Sequence, residues 1–476
     1  MAAAFFGLMG QPQLFADQVA EAPRPVRDLE FTKQHKFVKL DQEILEGLVH
    51  DVNKIHIRLF GGENVVIHIN KRQPINDNDA IAYGKVEGDQ DSQVILSMAG
   101  DASGGRTEAM VGTIDFSDGR SFKIDYVGDG VHKLVEIDHN AAGLICAHPE
   151  GPAGFMIGPN GEKIRLMYQR ATMNGGTAVA ANPAATIRRL NPTIQTVPNN
   201  SAFNQRVNLR QPRRAIKLSW ISDRTEPNIT FRGTTLVRPP TPTRTPTPTP
   251  TPSQSGAIDI LVVYTDGAAQ AKGGEAGIKA LAGLAVANVN TAFQNSGISA
   301  SARLAGTAKW SGRTSSGNLR SDIGALRGDA AIKALRSQNK ADLVAAFVPG
   351  RASGIIGIGS MPSGPSGNKN ACWSVTKVAT VGVPHRTFAH EIGHNLGAGH
   401  AKDRGSSGGA ESTAYGWRFT GSDGKRYRTL LSYSPGIRIP YYSNPAKSYK
   451  DKPTGTAAAN NAATITKIAA KAAGYK

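Results

Sequence analysis

The chain has 476 residues, 39% of them hydrophobic, with 53 glycines, 27 prolines and two cysteines. That length exceeds one ordinary domain and that composition can fill a core, which excludes a wholly disordered chain, a coiled coil and a disulfide scaffold. The net charge of +18 is unevenly placed: residues 254–476 hold 27 basic and 11 acidic side chains, and the remainder is close to neutral.

Residues 1–22 read as a weak or truncated signal peptide, because the apolar start from Ala2 to Met9 lacks a basic flank, although Ala20, Glu21 and Ala22 offer a cleavage site. No other run approaches the roughly 20 apolar residues of a bilayer-crossing helix, so no transmembrane segment is expected. Residues 23–150 read as a β-rich unit, in which the pattern from about Asp51 to Asp138 is period two. Ile55, Ile57 and Leu59 alternate with polar residues, and after Gly61 and Gly62 come Val65, Ile67 and Ile69, which predicts a hairpin. Thr113 to Phe116 and Phe122 to Tyr126 flank Asp118 and Gly119, and Val131 to Ile137 follows, so a small all-β domain is expected. Residues 151–253 read as a connector, since periodicity fades into Asn, Pro, Arg and Thr. It ends in RPPTPTRTPTPTPTPS at residues 238–253, where alternating proline favours an extended, protease-accessible spacer.

Residues 254–476 read as a mixed α-β domain. Ile258 to Tyr264 is a continuous apolar run expected of a buried strand. Ile278, Leu281, Ala285, Val289 and Ala292 recur at helical spacing, a strand is predicted near Ala302 to Trp310, one helix from about Ser321 to Ser337, and a strand from Leu343 to Val348. The chemistry lies in Phe388 to His400, FAHEIGHNLGAGH. On a helix, residues four apart differ by about 40° around the axis, so His390 and His394 present their rings to one metal ion. Glu391 is rotated by about 100° from His390, beside the ion and placed to accept a proton from its bound water. Gly397 can end the helix in the left-handed conformation, and His400 can then return to the same ion. Three nitrogen ligands with an open position are the pattern of catalytic Zn²⁺, which acidifies water and polarises a carbonyl oxygen.

The string H-E-x-x-H-x-x-G-x-x-H resembles the metzincin zinc metalloproteases, and its flanks resemble the bacterial reprolysin-like (adamalysin-type) members. The likeness continues through Tyr427 to Tyr433 and Arg438 to Pro445, similar to the segment carrying the family's Met-turn, and through Thr454, Gly455 and Ala459 to Ala462, similar to its closing helix. It implies an α+β fold: a metzincin-like catalytic domain with a mixed central sheet, an active-site helix and a C-terminal helix, preceded by a small all-β propeptide domain, which Gly130 to Asp138 resembles. Two departures stand out. Leu431 matches the turn methionine, and Ala401 matches the acidic residue after the third histidine, with Asp403 two further on. Tyr433 stands where serralysins and astacins place a tyrosine at the metal, so the resemblance gives it a role at the zinc or the oxyanion, against packing alone. Gly357 to Met361 lies where the family has a sheet-edge strand that pairs with substrate, and Ser434 to Tyr442 is expected to shape a side-chain pocket. Cys146 is a candidate latency ligand that would fill the open zinc position; a disulfide with Cys372 or free thiols are the alternatives.

The expected protein is a secreted or periplasmic, monomeric zinc endopeptidase. It acts on polypeptides and is made as a zymogen whose propeptide inhibits it in cis. The alternatives are a basic protein that binds polyanions or the cell envelope through its charged half and keeps a vestigial zinc site, and a zinc amidase acting on cell-wall peptides. No Lys/Arg cluster interleaved with aromatics appears, so no specific nucleic-acid partner is expected.

Overall fold

The computed structural model describes residues 13–26, 28–100, 105–144, 154–157, 163–171, 256–352, 354–404, 406 and 408–476. The N-terminal part contains β1 (Phe15–Val19), β2 (Thr32–Leu40), α1 (Gln42–His50), β3 (Lys54–Arg58), β4 (Asn64–Pro74), β5 (Ala80–Val86), β6 (Asp89–Gly100), β7 (Thr107–Asp115), β8 (Ser121–Gly128), β9 (Val131–Ile137) and α2 (His139–Leu144). The strands form one sheet in the order β1-β2-β9-β8-β7-β6-β5-β4-β3. The predicted hairpin is β3–β4, with Ile57 opposite Val65 and Ile55 opposite Ile67, so the alternating apolar residues share one buried face. β1 falls inside the stretch read as a signal peptide and pairs with β2.

This part is not all-β. Asp41 caps α1 by accepting the Ile44 N–H, and Ile44, Leu45, Leu48 and Val49 form a buried stripe at helical spacing. That stripe packs into the same core as Ile55, Ile67 and Leu96.

The second sheet is built from β10 (Gly154–Ile157), β11 (Lys163–Ala171), β12 (Ala257–Tyr264), β13 (Ser301–Lys309), β14 (Leu343–Val348), β15 (Gly354–Met361) and β16 (Trp373–Lys377), in the order β10-β11-β15-β16-β14-β12-β13. β12, the apolar run, is buried along its whole length between parallel neighbours β13 and β14. β15 runs antiparallel to β16. Strands β10 and β11 come from the stretch expected to be a connector, so that expectation is corrected at residues 154–157 and 163–171. The helices are α3 (Asp266–Ala271), α4 (Glu275–Asn295), α5 (Leu319–Gly328), α6 (Ala330–Gln338), α7 (Thr387–Asn395) and α8 (Asn461–Ala472). The single helix expected over 321–337 is two, because Asp329 turns its side chain to the N–H groups of Ala331 and Ile332 and starts α6. Short strands β17 (Arg418–Thr420), β18 (Arg426–Arg428) and β19 (Ile437–Arg438) follow α7.

Helix α4 joins the two sheets. It is long and apolar enough to cross a bilayer by composition, yet its most apolar window is 89% buried. It is apolar around its circumference because it has sheet on two sides, the situation in which a helix loses its polar face. Ile278, Leu281 and Val289 share one core with Val262 and Ala345 of the second sheet and with Ile95, Val111 and Tyr126 of the first. Close approach requires glycine at 283, where a Cβ would stand 2.3 Å from Ser97 Oγ. Polar contacts cross the same boundary. Lys272 and Lys123 both lie 2.9 Å from the carboxylate of Asp125. Burial opposes that charge, but the two ammonium groups hold the Asp125 carboxyl well below the usual range.

Candidate active site

Helix α7 carries the motif and is buried on every residue. Asn395, at its last turn, fixes it to the second sheet: its Nδ2 donates to the carbonyls of Ser360 (2.8 Å), Trp373 (3.0 Å) and Ala371 (3.2 Å). Tyr442 Oη donates to the Ala389 carbonyl at 2.7 Å from the other side. The helix stops at Gly397, which has the left-handed φ of 83° expected of it. The returning loop is pinned by Asn461, at the start of α8, whose amide accepts from the Gly399 N–H and donates to the Gly399 carbonyl, both at 3.0 Å.

This scaffold brings three imidazoles together. The Nε2 atoms of His390, His394 and His400 lie 3.0–3.1 Å from one another. Nδ1 of His390 donates to the Leu430 carbonyl at 2.7 Å and Nδ1 of His394 to the Ala398 carbonyl at 2.8 Å. With their Nδ1 protons so engaged, both rings are left with an Nε2 lone pair, and the lone pairs converge on one point. Neutral lone pairs held this close repel one another unless a cation lies between them. The spacing is near that of ligands about 2.0–2.1 Å from a shared ion, so the donor set fits Zn²⁺. Burial, then the charges of the neighbouring histidines, push His390 and His394 well below their ordinary basicity, which keeps them neutral and ligating.

Tyr433 reaches the same point, with its Oη 3.1 Å from His400 Nε2. Glu391 lies against β15, where Gly357 and Gly359 leave room for it: a Cβ on Gly357 would be 2.2 Å from Glu391 Oε1, and one on Gly359 3.2 Å from Oε2. Burial pushes the Glu391 carboxyl well above its usual range, opposed by the nearby Arg438 guanidinium. Leu431, at the turn position, is buried beneath the helix beside Gly393, so an apolar floor persists without methionine. Asp403 pairs with Arg418, which donates to the Tyr433 carbonyl at 2.7 Å. Asp403, two residues beyond Ala401, thus braces the turn rather than the metal position.

Two expectations fall differently. Gly357 to Met361 does not lie at an edge, because β11 runs antiparallel along β15 with Met167 opposite Gly359, Tyr168 opposite Ile358 and Gln169 opposite Gly357. The five site residues are correspondingly shut away, with His390, Glu391 and His394 at 0% exposure, His400 at 1% and Tyr433 at 4%. Cys146 lies outside the described residues. Cys372 is a fully buried free thiol, pushed up to about 11 by burial. Sequence reasoning missed Asn395, Asn461 and the carbonyls of Leu430 and Ala398. Asn395 stands inside the motif, in one of its unspecified places, and carbonyl acceptors have no signature in a sequence.

Residues 254–443 match the Reprolysin_5 family model, Metallo-peptidase family M12. A peptidyl-Asp metalloendopeptidase of Stenotrophomonas maltophilia (strain R551-3) is 32% identical over 233 residues, 46% of this chain and 52% of that protein. A protein of the same name from Pseudomonas aeruginosa is 30% identical over 210 residues, 40% of this chain and 34% of its own. The chain thus spans about half the length, or less, of the curated relatives it matches. Among solved structures, metalloproteinase-II from Bacteroides fragilis aligns with a TM-score of 0.33 at 11% identity, over 76% of this chain and 86% of that one.

Proposed function

Taking residues 254–443 as a metzincin-like metallopeptidase domain, we propose that the chain is a zinc-dependent endopeptidase, made as a precursor whose N-terminal half inhibits it. The observation that carries this reading is the convergence of three histidine Nε2 atoms within 3.0–3.1 Å, with Glu391 on the same helix. Bound Zn²⁺ supplies a Lewis acid that acidifies water and polarises the scissile carbonyl. Glu391 takes the proton of the attacking water on its carboxylate and returns it to the leaving amine. Tyr433 donates its Oη proton to the oxygen that gains charge in the transition state.

Inhibition is attributed to β11. A peptide substrate would bind β15 through its backbone, and β11 already occupies that ladder while the site beneath it is closed. Cleavage in the Thr-Pro spacer would begin release. The relatives' name, peptidyl-Asp metalloendopeptidase, favours a preference for bonds beside aspartate, and a net charge of +18 accords with acidic substrates. Secretion or export to the periplasm, and a monomeric state, complete the reading.

The test is to load the full chain with zinc, cut it in the spacer with an added protease, and follow aspartate-containing peptides by mass spectrometry with and without a chelator. One zinc per chain and chelator-blocked cleavage are expected. Stoichiometric zinc with no cleavage, or cleavage indifferent to chelator, contradicts the proposal.

A further inference from the structure

Resting on that endopeptidase reading, we infer that Arg386 is the residue that receives the acidic side chain of the substrate. In the covered protein, Asp115 of the N-terminal sheet occupies its place. Arg386 is the residue before α7, and its carbonyl accepts the His390 N–H at 3.1 Å. Arg386 precedes the first turn of α7, so its backbone stands one turn, about 6 Å along the axis, before His390. An extended peptide with its carbonyl at the metal advances about 3.3 Å per residue, which brings a neighbouring side chain within reach of that position.

The residue is held for a purpose other than the helix. It adopts φ 46° and ψ 43°, a left-handed conformation that non-glycine residues avoid and that tends to persist at functional sites. Its side chain is 2% exposed. A guanidinium is charged at any accessible pH, so a buried one needs an anion. Here that anion is Asp115, at the end of β7, which also accepts from Ser121 Oγ at 2.6 Å. The second terminal nitrogen donates to the Arg438 carbonyl at 3.3 Å.

Asp115 engages one terminal nitrogen and leaves Nε buried without a partner. A carboxylate approaching side-on would take Nε and that terminal nitrogen together, the bidentate fork for which arginine is suited. The site is therefore half used by Asp115. When the N-terminal half withdraws, Arg386 loses the carboxylate of Asp115 and is open to another.

The experiment uses the zinc-loaded, spacer-cut full chain and two peptides that differ only in Asp against Asn at the preferred position. The unmutated protein should favour Asp in kcat/KM. Arg386→Gln, still holding one zinc, should lower the Asp-to-Asn ratio by about 10²-fold, and Arg386→Lys should keep part of it. A ratio unchanged in Arg386→Gln overturns the inference and leaves the endopeptidase reading intact. Should Arg386→Gln fail to retain zinc, the unmutated protein still decides: cleavage of both peptides with a ratio near unity overturns it. Failure to cleave either peptide overturns the endopeptidase reading and this inference with it.

Discussion

Replacing Gly357 by alanine tests whether β15 forms the seat of the general base. The backbone there is not left-handed, so the glycine is needed for space alone. The added Cβ would stand 2.2 Å from Glu391 Oε1, 2.8 Å from its Cδ and 2.4 Å from Thr387 Cγ2. Favourable contacts are about 3.5–4.0 Å, so both side chains must retreat by more than an ångström. Thr387 is β-branched and fixed in the first turn of α7, which leaves Glu391 to take most of the displacement. Overpacking of this kind costs about 1–3 kcal/mol of stability. A 1 Å misplacement of a reacting group costs about 10²-fold in rate. Gly357→Ala should therefore bind one zinc, lose about 1–3 kcal/mol in urea unfolding and fall about 10²-fold in kcat. Gly364→Ala is the control, because nothing lies within 4 Å of its added Cβ. Zinc-loaded Gly357→Ala with the kcat and unfolding midpoint of the unmutated protein would refute the placement of Glu391 on this strand.

Deleting residues 154–171, which removes β10 and β11, should raise the peptidase activity of the uncut chain without changing its zinc content; unchanged activity would mean that the strand is not what blocks the site. Tyr433→Phe should keep its zinc and lose about 10²–10³-fold in kcat, as loss of one oxyanion donor does, and full kcat would assign Tyr433 to packing alone. The acid limb of stability should carry the signature of buried neutral histidines. His132 is pulled down to about 3 by burial, accepting from the Met110 N–H at 3.1 Å and donating to the Gly130 carbonyl at 3.2 Å. Below about pH 6.5 the unfolded chain takes up a proton that this ring in the folded protein does not. Its contribution is thus fully present above that pH and is lost towards about 3, at about 1.4 kcal/mol per pH unit. His132→Gln should flatten the stability curve between pH 4 and 6 by roughly that slope, and an unaltered slope would mean that His132 is charged in the native protein.

The site was largely legible in the sequence, because the motif is local. Helical geometry alone brings His390, Glu391 and His394 together, and one left-handed glycine returns His400. The strands at residues 55–69 and 113–137 were legible for a similar reason, their alternation being short-range. What escaped depends on partners far away in the chain. Residues 163–171 sit within polar, proline-rich surroundings and gain their ladder only from β15, nearly 190 residues later. The stripe of α1 is two turns long between strands, too short to outweigh the surrounding period-two pattern. Gly357 and Gly359 read as loop or edge residues, since their use as a seat for Glu391 exists only once α7 packs on β15. The split of the predicted helix at Asp329 escaped because apolar periodicity runs through it, whereas the side-chain cap that starts α6 interrupts the backbone.

The central claim is that one carboxylate on α7 does the proton transfers at a zinc held by three histidines. Glu391→Gln keeps the volume and removes the base. We would measure zinc content and peptide cleavage for this variant and the unmutated chain, both cut in the spacer, by metal analysis and mass spectrometry. One zinc is expected in each, with nearly complete loss of turnover in the variant. Comparable turnover with zinc in place would contradict it.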